Sequence, residues 1–301
     1  SEADMVFANF EFPFSRDRTP CFPGSYGCYC VDLRAKDILS TVKIDVCSLA
    51  NNHIMDWGLE GVRTTEEVLD EYGINSTGAG KNDFQARRPV IITCQGVNFG
   101  FLAYAKKGDY TAGPQTPGAA LYDPAKALED ISSLRKRVDH VVVSVHWGVE
   151  FSDYPLPVDM KIARKMIESG ASLVLGHHPH TLQGFEEYNR GLIFYSLGNF
   201  IYDPCSERIP SKASIEKRYQ TCIVQVEFDS ETVIGSNVIP ARIDGNTLRP
   251  RILEGQRAQE LMSRLRAISE DMMTLGSAKI YGQAAGNLMS RELRTYRRLW
   301  K

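Results

Sequence analysis

Residues 172–180 read Ser-Leu-Val-Leu-Gly-His-His-Pro-His, an apolar run that leads into three histidines within four positions. The run before Gly176 is typical of a buried strand, because it offers no polar face to solvent. Imidazoles at 178 and 180 can face one centre if the turn is tight, and Pro179 between them stiffens the backbone. This stretch predicts a strand that ends at a site built from histidine.

Four more strand-like runs lead into turns of the same kind. The turns are Ala8-Asn9-Phe10-Glu11, Ala50-Asn51-Asn52-His53, His146-Trp147-Gly148 and Gly198-Asn199-Phe200. In an open α/β sheet the carboxyl ends of neighbouring strands share one edge, and ligands bind in the crevice there. We therefore expect polar residues that are far apart in sequence to converge in space.

Helical and strand-like segments alternate along the chain. Helices are predicted at Leu33–Val42, Leu59–Tyr72, Pro124–Val138, Val158–Ser169, Gln256–Leu275 and Leu288–Trp300, and strands at Met5–Ala8, Ile44–Ala50, Val90–Cys94, Asn98–Ala105, His140–Val145, Ser172–Leu175, Leu192–Leu197, Thr221–Phe228 and Val233–Ala241. Buried β-branched runs separated by helices indicate an α/β sandwich whose sheet faces are covered. The polar segment Asp203–Tyr219 is predicted to be a loop. We expect one domain over residues 1–255, with the helices of residues 256–301 packed on it.

The composition is that of an ordinary globular protein: 301 residues, 43% of them hydrophobic and 24% charged, with a formal net charge of −2. This balance gives no electrostatic argument for binding nucleic acid or an anionic membrane. No apolar run approaches the ~20 residues that cross a bilayer, and Ser1 does not begin a signal peptide. We expect any membrane contact or targeting to depend on a segment upstream of Ser1.

The seven cysteines divide into two groups. Cys47, Cys94 and Cys222 lie in apolar strand-like runs, where a thiol behaves as a small buried hydrophobe. Cys21, Cys28, Cys30 and Cys205 lie in loops, and Cys28-Tyr29-Cys30 is too closely spaced for a zinc knuckle. Loop packing or one loop disulfide is therefore favoured over a thiolate metal site.

Five of the six histidines fall in the strand-end turns. Imidazole suits Zn, Mn or Fe, a carboxylate such as Glu11 can bridge two ions, and Asn52 can offer an amide oxygen. A metal held there lowers the pKa of bound water towards neutrality. Asn51, Asn52 and His53 also have a simpler interpretation, because such residues commonly satisfy turn backbones. The exception, His140, follows Asp139 at a helix–strand junction and is predicted to be a surface residue without a role.

Together the turns resemble the poly-γ-glutamate capsule biosynthesis family, CapA. The motifs are Ala-Asn-Phe-Glu, Ser-Leu-Ala-Asn-Asn-His followed by Asp56-Trp57-Gly58, His-Trp-Gly-Val-Glu, Gly-His-His-Pro-His and Tyr-Ser-Leu-Gly-Asn-Phe, in the family's order between Asp4 and about Asp203. The family is related to calcineurin-like metallophosphoesterases, so the resemblance implies a two-sheet α/β sandwich with a dinuclear site for Mn, Fe or Zn. The family's first strand ends in Gly-Asp. No counterpart precedes Ser1, so we expect a sandwich that lacks this strand.

The resemblance also implies a role for each motif residue. Glu11 matches the bridging carboxylate, Asn52 the metal-binding asparagine, His146 a single-histidine ligand, and His178 with His180 the closing pair of ligands. His53 matches the catalytic histidine. Four further residues are expected to support the ligands or contact substrate: Asn9, Asn51, His177 and Asn199.

Three functions are compatible with these residues. The first is a metal-dependent hydrolase that uses metal-activated water on a phosphoester or a γ-glutamyl amide bond. The second is a non-catalytic accessory protein of a poly-γ-glutamate synthesis or export complex, and the third is a general phosphodiesterase or phosphatase. The resemblance implies an anionic polymer or phosphoester as substrate, a capsule synthesis complex as partner, no nucleic acid, and a location in the cell envelope at the outer face of the cytoplasmic membrane.

Overall fold

The computed structural model describes residues 3–16, 29–106, 108, 110–202 and 212–287, except for the side chains of 212–214. The chain forms two compact units. The first comprises Ser1–His146, Glu168–Leu173 and Asp229–Thr232, and the second comprises Trp147–Ile167, Val174–Phe228 and Val233–Lys301. Helices and several sheets are present, so the predicted mixed α/β class is confirmed.

The first unit begins with short strands and ends with a long buried one. Its elements are β1 (Phe7–Asn9), β2 (Phe14–Ser15), β3 (Val31–Asp32), a 3₁₀ helix (Leu33–Ser40), β4 (Val46–Ser48), α1 (Gly58–Glu71), β5 (Asn75–Thr77), β6 (Ala79–Gly80), α2 (Asp83–Ala86), β7 (Val90–Cys94), β8 (Val97–Ala105), β9 (Gly118–Ala119), α3 (Pro124–Arg135) and β10 (His140–His146). β1, β4 and β5 form a parallel sheet in the order β1-β4-β5. Because β1 and β4 run in the same direction, the turns after them lie at the same edge of that sheet.

The hairpin predicted around Gln95-Gly96 is present. β7 and β8 pair antiparallel, and β8 also pairs in parallel with β10, placing His146 opposite Ala105. Gln95 and Gly96 have φ values of 50° and 82°, as a two-residue turn with two left-handed positions requires. All seven residues of β10 are buried, which explains its near-continuous apolar sequence.

The core of the first unit lies between α1 and the short parallel sheet. Val62, Val68 and Leu69 on α1 pack with Leu49 and Ile54, which flank the turn after β4. Gly73, with φ +70°, follows the end of α1 as predicted. The turn after β4, which carries candidate site residues, thus packs on the buried face of α1.

The second unit contains the remaining elements, which lie in it wholly or mainly. They are α4 (Pro157–Glu168), β11 (Ala171–His177), β12 (Phe185–Tyr188), β13 (Gly191–Phe194), α5 (Lys212–Tyr219), β14 (Gln220–Phe228), β15 (Val233–Ile243), β16 (Pro250–Ile252) and α6 (Gly255–Thr274), followed by a helical run at 277–287. Strand order is β12-β13-β11 in one sheet and β14-β15-β16 in another. Leu261 and Leu265 of α6 pack on Leu182 and Cys222, so the long helix is part of this unit's core. Among the described residues, none of the helices has the length and apolar character needed to cross a bilayer.

Several boundaries differ from the sequence-based expectations. The segment predicted as a helix from Leu33 is a 3₁₀ helix that ends at Ser40, where the hydroxyls of Ser40 and Thr41 bond the carbonyls of Asp37 and Ile38. The predicted loop Asp203–Tyr219 ends in a helix, α5, because Ile215 finds a buried apolar cluster to pack against. β13 ends at Phe194, since the amide of Tyr195 turns to bond Gly184. The helix predicted at Leu288–Trp300 lies outside the described residues.

The surface position predicted for His140 is wrong. His140 has no exposed surface. Its Nδ1 lies 2.9 Å from Ser172 Oγ and its Nε2 lies 2.7 Å from the carbonyl oxygen of Asp229. The two ring nitrogens are thus satisfied by groups far away in sequence, which is what allows this polar side chain to be buried.

The described cysteines follow the sequence-based expectation in part. Cys47 and Cys222 are buried free thiols, while Cys94 is half-buried. Cys30 is free and exposed, so it contributes to no loop disulfide. Cys21, Cys28 and Cys205 lie outside the described residues.

Candidate metal centre

Three strand ends of the first unit bring predicted ligands together. Glu11 follows β1, Asn52 follows β4, and His146 is the last residue of β10. The Nε2 atom of His146 lies 2.7 Å from Asn52 Oδ1 and 3.7 Å from Glu11 Oε1. His146 is buried and Glu11 is half-buried. A carboxylate, an amide oxygen and an imidazole at these separations form a potential metal-ligand group.

Asn9 and Asn51 support this group in different ways. Asn9 Nδ2 donates to Glu11 Oε2 at 3.4 Å, a long contact that orients the carboxylate. Asn51 is fully buried, and its Nδ2 donates to the carbonyl oxygens of Phe10 and Leu49 while its Oδ1 accepts from the amide of His53. Asn51 therefore shapes the turn that carries the site, which is the simpler of the two roles weighed from sequence.

His53 lies beside this group and is held by a carboxylate. Its Nδ1 is 2.8 Å from Asp56 Oδ2, and its Nε2 is 3.1 Å from Asn52 Nδ2. The rings of Phe12 and Tyr29 lie edge-on to the imidazole, with centroids 5.3 and 4.9 Å away. Asp56 also accepts from the backbone amide of Tyr29 at 2.7 Å, so it fixes both His53 and the aromatic wall.

The roles of Asp56, Phe12 and Tyr29 were not predicted from the sequence. Asp56 carried a signal that could have been used, because a carboxylate three residues after a histidine in a tight turn can reach its ring. Phe12 and Tyr29 carried none, since their contact with His53 depends on the path of the chain between them.

The histidine-rich turn of the second unit has an unusual backbone. His178 has φ 96° and His180 has φ 56°, both in the region that L-residues other than glycine rarely adopt. The two rings have centroids 6.1 Å apart. Asn199 Oδ1 lies 2.8 Å from His180 Nδ1.

His177 has a different position from its neighbours. The strand was expected to end at Leu175, but β11 continues through His177, whose carbonyl oxygen accepts from the amide of Trp147. The imidazole is buried, and burial lowers its pKa to about 4, so the ring is neutral at pH 7. Among the described residues, no group hydrogen-bonds its Nε2. His177 is thus a buried neutral ring behind the turn.

Comparison with known proteins identifies the family. The model of the family described as bacterial capsule synthesis protein PGA_cap matches residues 1–204. The chain belongs to the PGA_cap family. The resemblance inferred from the strand-end motifs is therefore confirmed.

Curated relatives of this PGA_cap chain carry related names. It is 33% identical over 260 residues to the capsule biosynthesis protein CapA of Bacillus anthracis, covering 82% of this chain and 60% of that protein. It is 33% identical over 220 residues to the PGA biosynthesis protein CapA of Bacillus subtilis, covering 71% and 57%. A Mycobacterium tuberculosis protein named probable polyglutamine synthesis accessory protein is 32% identical over 178 residues, covering 55% and 47%. The PGA_cap chain thus spans about 60% or less of the length of these three relatives.

Solved structures resemble the PGA_cap chain at low sequence identity. A hypothetical protein from Thermus thermophilus matches with a TM-score of 0.50 at 14% identity, covering 79% of this chain and 87% of that one. A 5'-nucleotidase precursor from the same organism matches with a TM-score of 0.46 at 14% identity, covering 81% and 46%. At this identity the likeness concerns the fold alone.

Proposed function

We propose that this PGA_cap chain is a metal-dependent hydrolase of capsule biosynthesis. One observation carries the proposal: His146 lies within 2.7 Å of Asn52 and 3.7 Å of Glu11, directly beside a histidine paired with Asp56. Metal-ligand atoms next to a carboxylate-paired histidine are the parts that hydrolysis by activated water requires.

The proposed ligands are the five residues that the family resemblance matched: Glu11, Asn52, His146, His178 and His180. Support comes from the first unit, where Asn52 and Glu11 both lie close to His146 Nε2. Nitrogen and carboxylate donors of this kind would suit Mn, Fe or Zn, and the proposed centre would be dinuclear with Glu11 among its ligands. When bound, such a centre lowers the pKa of water and polarises the bond to be cleaved.

The proposed catalytic residue is His53. In its protonated form, its Nε2 can deliver a proton to the leaving oxygen or nitrogen, while Asp56 stabilises the imidazolium at Nδ1. Phe12 and Tyr29 cover the side of the ring and limit its movement. The imidazole of His53 is therefore held in place before substrate binds.

The proposed substrate is an anionic polymer containing γ-glutamyl amide bonds. Support comes from the names of the Bacillus relatives, which refer to capsule and PGA biosynthesis. The same names support a location in the cell envelope and a partnership with a capsule synthesis complex. A phosphoester remains the comparison substrate because the proposed metal chemistry applies to both bonds.

A second candidate is a non-catalytic accessory protein in which the same residues hold metal or polymer without turnover. The name of the Mycobacterium tuberculosis relative favours it, since that protein is described as an accessory of synthesis. Measured cleavage of a substrate by the purified chain would distinguish the hydrolase from the accessory protein.

Elemental analysis and substrate cleavage test the proposal. The purified chain is loaded with Mn²⁺, Fe²⁺ or Zn²⁺, and the bound metal is counted before incubation with poly-γ-glutamate or an aryl phosphate. We expect about two ions per chain and cleavage of poly-γ-glutamate. Bound metal without cleavage of either substrate would favour the accessory role, and cleavage of the aryl phosphate alone would favour a general phosphatase. A chain that retains no metal would refute the metal centre.

The ligand assignment is tested by His178→Ala. We expect metal affinity to fall at least tenfold while the circular dichroism spectrum is unchanged, because a ligand is lost without a change in the core. His53→Ala is the matched control and should retain its metal. Loss of metal in the control would make His53 a ligand instead.

A further inference from the structure

Among the described residues, four groups that lie close to the ring of His180 bear on its position. Asn199 Oδ1 lies 2.8 Å from its Nδ1. The rings of Phe151, Tyr202 and His178 have centroids 6.0, 6.2 and 6.1 Å from it. All of these residues belong to the second unit.

Arg218 contacts three of these four groups. Its guanidinium carbon lies 3.6 Å from the centroid of the Phe151 ring. Its Nη1 donates to the hydroxyl of Tyr202 at 3.0 Å, and its carbonyl oxygen accepts from Asn199 Nδ2 at 3.2 Å. One residue therefore joins two rings that lie tilted beside His180 and the amide that bonds its Nδ1.

The position of Arg218 is itself fixed. It lies in the last turn of α5, where backbone carbonyls lack helical partners, and Asn199 satisfies its carbonyl. Its side chain is only 2% exposed, although arginine is rarely buried to this extent. The stacked and hydrogen-bonded guanidinium plane requires arginine, because a lysine ammonium offers neither the flat face nor the forked donors.

Asn199 decides which ring nitrogen of His180 carries the proton. Its Nδ2 donates to the carbonyl oxygens of His180 and Arg218, each at 3.2 Å, so its Oδ1 must be the atom facing His180 Nδ1. His180 therefore donates from Nδ1, and Nε2 keeps its lone pair. A lone pair on a ring held in one orientation is what a metal ligand needs.

We propose that Arg218 is a positioning residue for His180. Its side chain, through Phe151 and Tyr202, holds the imidazole in one orientation, and its carbonyl oxygen helps to orient the Asn199 amide that fixes the tautomer. The consequence for metal binding rests on the proposed function, because it requires His180 to be a ligand. The effect on the ring does not depend on that function.

Arg218→Met is the main test, because methionine retains much of the stem that packs on Phe151 but removes the guanidinium. Arg242→Met is the matched control: Arg242 also lies over an aromatic ring, that of Tyr219 at 5.6 Å, and pairs with Glu216. Histidine is labelled with ¹⁵N, the His180 ring signals are assigned with a His180→Gln variant, and spectra are recorded without metal. Zn²⁺ affinity is then measured by competition with a chelator.

We expect the wild type and Arg242→Met to show a single His180 tautomer protonated at Nδ1. Arg218→Met should keep this tautomer, because Asn199 still bonds the two backbone carbonyls, but its His180 ring signals should shift and broaden as the ring loses its fixed orientation, and it should bind Zn²⁺ at least tenfold more weakly. An unchanged His180 spectrum in a folded Arg218→Met variant would overturn the proposal, even if its stability falls. If the wild type binds no Zn²⁺, the metal centre fails, but the ring signals still decide the role of Arg218.

Tyr202→Phe covers the case in which Arg218→Met does not fold. It removes only the hydroxyl that Arg218 contacts and keeps the ring beside His180. Shifted His180 ring signals and a Zn²⁺ affinity reduced about threefold would support the proposal. Ring signals identical to the wild type would overturn it.

Discussion

At the scale of single residues, the side-chain amide of Asn52 lies between the imidazoles of His146 and His53. Asn52 presents Oδ1 to His146 and Nδ2 to His53. Because an amide NH₂ group only donates, the neutral ring of His53 accepts at Nε2 and carries its proton on Nδ1, facing Asp56. The orientation of one side chain thus sets the tautomer of the proposed catalytic histidine.

Asp56→Asn tests this arrangement. An amide in place of the carboxylate no longer stabilises an imidazolium, so we expect turnover to fall at least about a hundredfold while metal content is unchanged. The measurement is kcat on whichever substrate the chain cleaves, with metal counted on the same sample.

Asp139→Asn is the matched control for Asp56→Asn. Asp139 also accepts from a backbone amide, that of Asn98 at 2.7 Å. The turnover of the Asp139→Asn variant should match that of the wild type. If Asp56→Asn loses metal and activity in equal proportion, Asp56 supports the metal rather than His53.

At the scale of elements, periodicity predicted most long helices and strands, because each buries a recognisable face. The turns at the ends of β1, β4 and β10 were predicted for the same reason, since a change from a buried run to polar residues marks the point at which a strand ends. The paired strands β2, β3, β6 and β9 are two residues each and too short for periodicity to act. α5 and Arg218 were missed because their packing partners are distant in sequence.

His140 shows what tertiary contacts add to an element. It begins β10, and its ring joins that strand to Ser172 at the start of β11 and to the carbonyl of Asp229. The sequence places an aspartate before it and gives no sign of either partner. A buried polar ring with two partners therefore looked like a surface residue.

His140→Ala should be strongly destabilising. It removes two buried hydrogen bonds and the packing of the ring against Phe99, so we expect the free energy of unfolding to fall by about 2–4 kcal/mol. Urea denaturation followed by circular dichroism measures this change. Ser172→Ala, which removes one of the two contacts, should cost only about 1 kcal/mol. If His140→Ala lowers the free energy of unfolding by less than about 1 kcal/mol, the two hydrogen bonds of the ring do not stabilise the fold as proposed.

At the scale of the whole molecule, the described part of each unit contains one deeply buried thiol. Cys47 lies in the first unit and Cys222 in the second. Burial raises the pKa of both thiols to about 12. The thiolate is the reactive form, so both should be inert while their own unit is folded.

Alkylation at pH 8 measures the integrity of each unit separately. Relative to an unfolded thiol of pKa 9.0, a pKa of about 12 lowers the thiolate fraction about a thousandfold. We expect Cys47 and Cys222 to react at least that much more slowly in the native chain than in urea, as measured by mass spectrometry of the labelled peptides. The exposed Cys30 is the internal control and should react first. Rapid native labelling of Cys47 or Cys222 would contradict the burial described for that unit.

The left-handed backbone at His178 and His180 has a consequence for how the sequence can change over generations. Left-handed conformations cost L-residues other than glycine about 1–2 kcal/mol each, and asparagine tolerates them better than most. Selection for heat resistance alone would therefore favour glycine or asparagine at 178 and 180. In a laboratory evolution experiment without pressure for function, we expect these two histidines to be among the first residues replaced. Their persistence in a lineage would then be a record of selection for what the imidazoles do.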